Sequence, residues 1–143
     1  LATARRQQEQ LSLLYIDLDK FKQVNDTLGH GIGDLLLQET AARLKLCVRE
    51  SDAVARVGGD EFVVLLQGSS SAGQVALVAE KILNAFNTPF TLAGHLLTIT
   101  PSLGIARYPE HGLDERQLLD YADKAMYLEK KAKSSDSITI GLK

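Results

Sequence analysis

The stretch Ala55–Leu66, "ARVGGDEFVVLL", decides how the rest of the chain is read. Two apolar runs flank Gly58-Gly59, the signal of a β-hairpin. A hairpin turn asks for glycines but not for two adjacent carboxylates, yet Asp60 and Glu61 follow the turn directly. Upstream, "LSLLYIDLD" (11–19) is apolar until it turns acidic at Asp17 and Asp19. It reads as a buried strand ending in carboxylates. If the two elements are neighbours in one sheet, Asp17, Asp60 and Glu61 converge. Close carboxylates repel, so they must take up protons or share a cation. Oxygen-only ligands suit Mg²⁺, which takes one or two carboxylates and leaves substrate phosphates to complete its shell. The alternative reading is a pair of solvated acids beside an exposed turn.

Composition frames this site. The chain has 143 residues, 45% apolar and 24% charged, which suits one soluble globular domain with its own core. A net charge of −2 argues against a partner made of polymeric nucleic acid. It leaves room for a small phosphate-bearing ligand. The single cysteine, Cys47, cannot form an internal disulfide or a thiolate cluster, and its apolar setting reads as buried and inert. A cytoplasmic location is expected, or the cytoplasmic part of a membrane-attached protein, with membrane contact only through segments outside this chain. The opening "LATARRQQEQ" has the character of a polar helix already under way, so a piece of a longer protein is expected.

Periodicity supplies the remaining elements. "KFKQVNDTLGHGIGD" reads as a short helix, a tight turn and a second helix from about Ile32 to Val48, with Ile32, Leu35, Leu36, Leu44 and Cys47 near one face. A third helix carries Val75, Val78, Ala79, Ile82, Leu83 and Phe86 at helical spacing. "FTLAGHLLTITPSLGIARY" (90–108) reads as a hairpin turning at Ala93-Gly94 with a longer second strand. Pro101 places that strand at an edge or a bulge. A final helix starts near Asp114, with Gln117 at the capping-box position and Leu118, Ala122, Ala125 and Met126 inward. "SITI" (137–140) reads as a last short strand. Strands both adjacent and interleaved with helices make the class α+β, with helices on a mostly antiparallel sheet.

Other polar groups have two readings each. Lys20 and Lys22 follow the first acidic strand, where a helix start offers free N–H groups to phosphate; Lys22 can add a point charge, while Lys20 reads better as a solvated lysine. Asn25 and Asp34 bound a glycine-rich turn. They can pair with the donors on a guanine edge, or serve only as turn and cap residues. His30, His95 and His111 have no metal spacing, and His30 reads as a turn-packing residue.

Taken together, "DLDKFKQVNDTLGHGIGD" (17–34), "RESD" (49–52), "RVGGDEF" (56–62), "SLGIARYPEHG" (102–112) and "YADKAMY" (121–127) resemble the GGDEF domain of diguanylate cyclases, in order and spacing, across nearly the whole chain (1–143). The resemblance implies a nucleotidyl-cyclase-like fold with a ferredoxin-like core, a central sheet of about five strands flanked by helices. It implies condensation of two GTP to cyclic di-GMP and two pyrophosphates in a head-to-tail homodimer, with Mg²⁺ or Mn²⁺ as cofactor. By position, Asp17, Glu61 and the Leu18 carbonyl are similar to the metal ligands. Asp60 is similar to the acid that assists the ribose 3′-OH. Phe21 (backbone), Lys22 and Lys130 match phosphate contacts, Asn25 and Asp34 the guanine readers, and Gly58 and Gly59 the close approach of nucleotide to hairpin. Arg49 and Asp52 match the Arg-x-x-Asp site at which cyclic di-GMP inhibits its own synthesis.

The pattern departs in two places. Ser134 stands where the family has a second cationic phosphate contact, and Lys133 replaces a glycine; Lys131 or Lys133 is a candidate to compensate. The family's "D-x-L-T-G-L-x-N-R" segment would lie before Leu1. Two readings compete with catalysis: a GTP- or cyclic di-GMP-binding module controlling a neighbour such as a phosphodiesterase, and a purely structural interaction domain.

Overall fold

A computed structural model describes residues 11–68 and 71–141, with side chains as far as Lys133. The polar helix expected over residues 1–10 lies outside the described residues, as does the side chain of Ser134. Strand β1 (Leu11–Leu18) is followed by α1 (Phe21–Leu28), α2 (His30–Leu46), β2 (Ala53–Arg56) and β3 (Glu61–Gln67). Then come α3 (Ala72–Asn87), β4 (Phe90–Leu92), β5 (His95–Leu97), β6 (Pro101–Tyr108) and α4 (Glu115–Gly141). The main sheet has the order β2-β3-β1-β6, every neighbouring pair antiparallel. This is a pair of interleaved split βαβ units, the ferredoxin-like arrangement. β4 and β5 form a separate two-stranded ribbon.

Both faces of β1 are covered, which is why its sequence is almost continuously apolar. Leu14, Ile16 and Leu18 face a large core with Val24 of α1, Leu36 and Leu44 of α2, Ile82 and Phe86 of α3, and Phe62 and Val64 of β3. Leu11 and Leu13 face the other way, onto Val63, Ala106, and Leu118 and Ala122 of α4. Gly104 on β6 sets how close α4 comes. A Cβ there would overlap the carbonyl oxygen of Ala122 and the amide of Met126.

Four expectations change. "SITI" lies within α4, not in a strand. The long second strand of the 90–108 hairpin divides: β5 pairs with β4 through the Ala93-Gly94 turn, where both residues have positive φ, and β6 leaves to pair with β1. Pro101 sits at the first position of β6, an edge strand, where its missing N–H costs nothing. Leu35 and Leu83, placed on buried faces by spacing, are exposed, and Leu37 takes the inward position on α2. His30 does not pack into a turn; it is exposed at the start of α2. The inward placements of Leu118, Ala122 and Met126 on α4 hold, as does a buried Cys47, whose thiol pKa burial raises. At the start of α4, Asp114 accepts from the Gln117 amide at 2.8 Å, and the Gln117 side chain reaches back to the Leu113 amide at 2.7 Å.

Substituting Gly104→Ala should force α4 off the sheet. Overpacking against backbone of this kind costs about 3 kcal/mol. A fall in melting temperature of roughly 10 °C is expected for a domain of this size, measured by circular dichroism.

Candidate active site

The site begins with strand alternation. Tyr15 and Asp17 share the α4-facing side of β1 with Leu11 and Leu13, since side chains two apart point the same way. In the β1–β3 register Asp17 lies opposite Glu61, and on the other flank opposite Ser102. The Leu18 amide donates to the Asp60 carbonyl at 3.2 Å, drawing the end of the hairpin against the end of β1. Asp17, Asp60 and Glu61 thereby gather, each offering a carboxylate oxygen within 4.8 Å of the others.

This cluster is electrostatically loaded. Asp17 is 6% exposed. Burial raises its pKa; the Lys130 ammonium opposes the rise and Asp60 adds to it, leaving the value at about 6. Lys130 reaches Asp17 Oδ2 from α4 at 2.5 Å. Burial works against the lysine's charge, but the carboxylates around it outweigh that and raise its pKa. Asp17 Oδ1 is buried and has no hydrogen-bond partner among the described residues. A buried acceptor left unpaired is costly, and a hard cation is the natural partner for three oxygens so placed. The donor set fits a divalent ion such as Mg²⁺ or Mn²⁺.

The hairpin glycines serve a purpose other than turn geometry. Neither Gly58 nor Gly59 has a left-handed φ, and the loop is closed by the Val57 amide donating to the Glu61 carbonyl at 2.9 Å. A Cβ on Gly58 would fall 2.8 Å from Glu61 Oε1, so this glycine makes room for the carboxylate; Gly59 opens onto free space. Arg56 holds the turn from beneath, donating to the Gly58 and Gly59 carbonyls at 3.1 Å each.

At the exit of β1, Asp19 accepts from Thr100 and Ser102, each at 2.7 Å, and from Lys133 at 3.1 Å. Lys133 also bonds the Pro101 carbonyl and pairs with Glu129. Its charge is thus spent stitching α4 to the sheet, which leaves it poorly placed to stand in for a phosphate contact. Lys20 takes a left-handed φ of 62° as the chain turns into α1, and among the described residues no side chain caps the start of that helix. Phe21 and Lys22 occupy its first turn, with Lys22 exposed.

The helix corner between α1 and α2 turns on Gly29, at φ 91°. Here Asn25 packs against Gly33, where a Cβ would collide with its amide oxygen, and that oxygen has no partner among the described residues. Asp34, one position on, is exposed and lines a cleft of about 440 Å³ with Leu37, Gln38, Ala41, Arg56 and Phe62. Of the two residues read from sequence as guanine readers, Asp34 lines this cleft, with Phe62 of the hairpin as part of its wall, while Asn25 is placed against Gly33 at the helix corner.

Arg49 and Asp52 lie apart from this. The Asp52 side chain is 2% exposed and that of Arg49 is 66%. Asp52 accepts from the backbone amides of Arg49 (2.9 Å) and Gln67 (3.2 Å), while the guanidinium of Arg49 donates to the Gln67 carbonyl at 2.8 Å.

Sequence reasoning missed Tyr15, Asp19 and Arg56. The phenol of Tyr15 donates to Glu61 Oε1 at 2.9 Å. Its pKa is pushed well up, first by burial and then by that bond to a carboxylate, so it stays a proton donor. The signal available was phase: Tyr15 and Asp17 are two apart on one strand face, and Asp19 continues that spacing just past the strand's end.

The fold and this site define a GGDEF-type domain. The family described as "Diguanylate cyclase, GGDEF domain" matches residues 1–136, and the chain belongs to that family. It is 43% identical over 132 residues to diguanylate cyclase TpbB of Pseudomonas aeruginosa, covering 92% of this chain and 30% of that protein. It is 44% identical over 124 residues to the bifunctional diguanylate cyclase/cyclic di-GMP phosphodiesterase MucR of the same species, covering 87% of this chain and 18% of that one. The crystal structure of the TpbB GGDEF domain superposes with a TM-score of 0.88 at 42% identity, covering 92% of this chain and 82% of that one. The GGDEF domain of DgcB from Caulobacter crescentus, solved with c-di-GMP, gives 0.82 at 29% identity, covering 92% and 78%. The chain spans less than a third of the length of these two curated relatives.

The raised pKa of Asp17 gives a pH dependence with a definite sign. Between the ordinary value of 3.8 and about 6, the folded protein holds a proton that the unfolded chain has released. Without metal, this group's contribution to stability is therefore largest at low pH and is lost as pH rises through about 6. A cation must displace that proton. The rise in melting temperature produced by saturating Mg²⁺ should grow from pH 5 to pH 7 and then level off. Asp17→Asn should flatten the profile.

Proposed function

We propose that this chain is the catalytic domain of a diguanylate cyclase. The observation that carries the reading is the gathering of Asp17, Asp60 and Glu61 at the strand ends, where Asp17 Oδ1 is buried and unpaired among the described residues. In this reading Asp17, Glu61 and the Leu18 carbonyl hold Mg²⁺ or Mn²⁺, and the uncapped start of α1 with Lys22 and Lys130 holds the phosphates. Bound there, the ion supplies Lewis acidity at the α-phosphate and offsets the charge of the departing pyrophosphate. Asn25 and Asp34 read the guanine edge in the cleft beside Phe62. Gly58 and Gly59 let the nucleotide lie close to the hairpin.

Each domain presents one GTP, so two copies must meet head to tail. The 3′-oxygen of each ribose attacks the α-phosphorus of the other GTP, the bond to pyrophosphate breaks, and the 3′-OH proton leaves toward Asp60. Repeated once in each direction, this closes cyclic di-GMP and releases two pyrophosphates. Arg49 and Asp52 form the product-inhibition site, with the exposed guanidinium as the reaching group. The domain acts in the cytoplasm; no helix among the described residues is long and apolar enough to cross a membrane.

A second reading is a GTP- or cyclic di-GMP-binding module that regulates a neighbouring domain such as a phosphodiesterase. It is favoured by the occupation of Lys133 by Asp19, Glu129 and the Pro101 carbonyl, which leaves the departure at Ser134 uncompensated from that side.

Incubation of the dimeric protein with GTP and Mg²⁺, followed by chromatography, separates the two. Cyclic di-GMP should accumulate, and Asp17→Asn or Glu61→Gln should lower the rate by at least about 100-fold. Tight GTP binding with no product in the wild type selects the regulatory module instead. At the second site, Arg49→Ala should abolish inhibition by added cyclic di-GMP while changing stability by less than about 1 kcal/mol, because the side chain is exposed. Asp52→Ala should cost about 1–3 kcal/mol, because two backbone amides lose their acceptor. Urea titration distinguishes the two variants.

A further inference from the structure

We propose that Tyr15 is a positioning residue that fixes the Glu61 carboxylate for cation binding. This rests on the reading of Glu61 as a metal ligand, and it adds a residue for which neither the motif pattern nor the family match supplies a role.

Glutamate is a loose ligand. Three side-chain torsions separate its carboxylate from the backbone, and holding them in one geometry costs entropy unless neighbours do the holding. Glu61 Oε1 sits in a niche with two walls. One is the Tyr15 hydroxyl, which donates to it at 2.9 Å. The other is Gly58, whose absent Cβ would stand 2.8 Å from the same atom. Among the described residues, the phenol is the one hydrogen-bond donor to this carboxylate. Oε2 has no protein donor among the described residues.

The phenol is itself held. Tyr15 lies opposite Gly104 on one side and Val63 on the other, and its ring packs against the Leu13, Val63, Ala106, Leu118 and Ala122 cluster. Gly104 matters twice over: with no side chain there, α4 descends onto the sheet and the ring of Tyr15 lies beneath it. Partners that orient a metal ligand in this way commonly change metal affinity or activity by 10- to 100-fold when removed. Tyrosine here makes a neutral, permanent donor: it orients the carboxylate without neutralising the charge that a cation needs.

The test compares the full chain with Tyr15→Phe and Glu61→Gln. Phenylalanine keeps the ring and removes only the hydroxyl. Mn²⁺ alone is titrated by calorimetry, and the metal-free melting temperature of each protein is recorded beside it. The expected result is an Mn²⁺ dissociation constant raised about 10-fold in Tyr15→Phe at a melting temperature close to wild type. The metal concentration giving half-maximal turnover should rise similarly, with KM for GTP at saturating metal unchanged. The wild type should also show a tyrosine ultraviolet difference band on Mn²⁺ addition that Tyr15→Phe lacks. If Tyr15→Phe binds Mn²⁺ within twofold of wild type while Glu61→Gln binds weakly, the positioning role is overturned and the metal reading stands. If Glu61→Gln binds as tightly as wild type, the metal reading of Glu61 is overturned, and the positioning role with it.

Discussion

The register between β1 and β3 is the constraint on which the rest depends. It sets Asp17 opposite Glu61 and lets the end of the hairpin deliver Asp60 to the same place. A slip of one residue would turn Asp17 into the apolar layer under α1–α3 and put Ile16 among the carboxylates on the α4 side. Such a slip is resisted on both sides, because both faces of β1 are buried. The same two-sided burial that makes the strand read as featureless hydrophobic sequence is what holds a charged site in register. Bringing three carboxylates together is unfavourable by itself, and the cost is offset locally by the Lys130 ammonium and shows in the raised pKa of Asp17.

Local signals were legible in proportion to how local their physics is. The hairpin, the helices and the acidic strand end could be read from spacing, and the convergence of Asp17 with Asp60 and Glu61 followed once two strands were assumed adjacent. The hairpin glycines were read correctly as a turn but for the wrong reason. Neither takes a left-handed backbone, and Gly58 serves side-chain room beside Glu61. Leu35 and Leu83 were misplaced because helical spacing gives a stripe without saying how wide the neighbouring layer is. The separation of β5 from β6 was hidden because a strand that changes partners keeps its apolar alternation throughout.

What escaped altogether were bonds across long sequence separations. Tyr15 and Glu61 are 46 positions apart, and Asp19 meets Thr100 and Ser102 more than 80 positions away. Nothing in a window of sequence shows such pairs. They follow from the sheet order, which brings β3 and β6 to the two flanks of β1. Lys133 shows the converse: a cation near an expected phosphate site looked like a substitute contact, and its partners show it serving as a cross-link between layers.

The unequal burial of Arg49 and Asp52 has an evolutionary corollary. The arginine stands in solvent and can be exchanged with little harm to folding, so on the reading of this pair proposed above, feedback by product can be gained or lost at that position without cost to the fold. The aspartate accepts from two backbone amides, so the fold needs it whatever binds nearby. On that same proposed reading, an aspartate at position 52 is poor testimony for feedback among relatives, and the arginine three residues earlier is the informative letter.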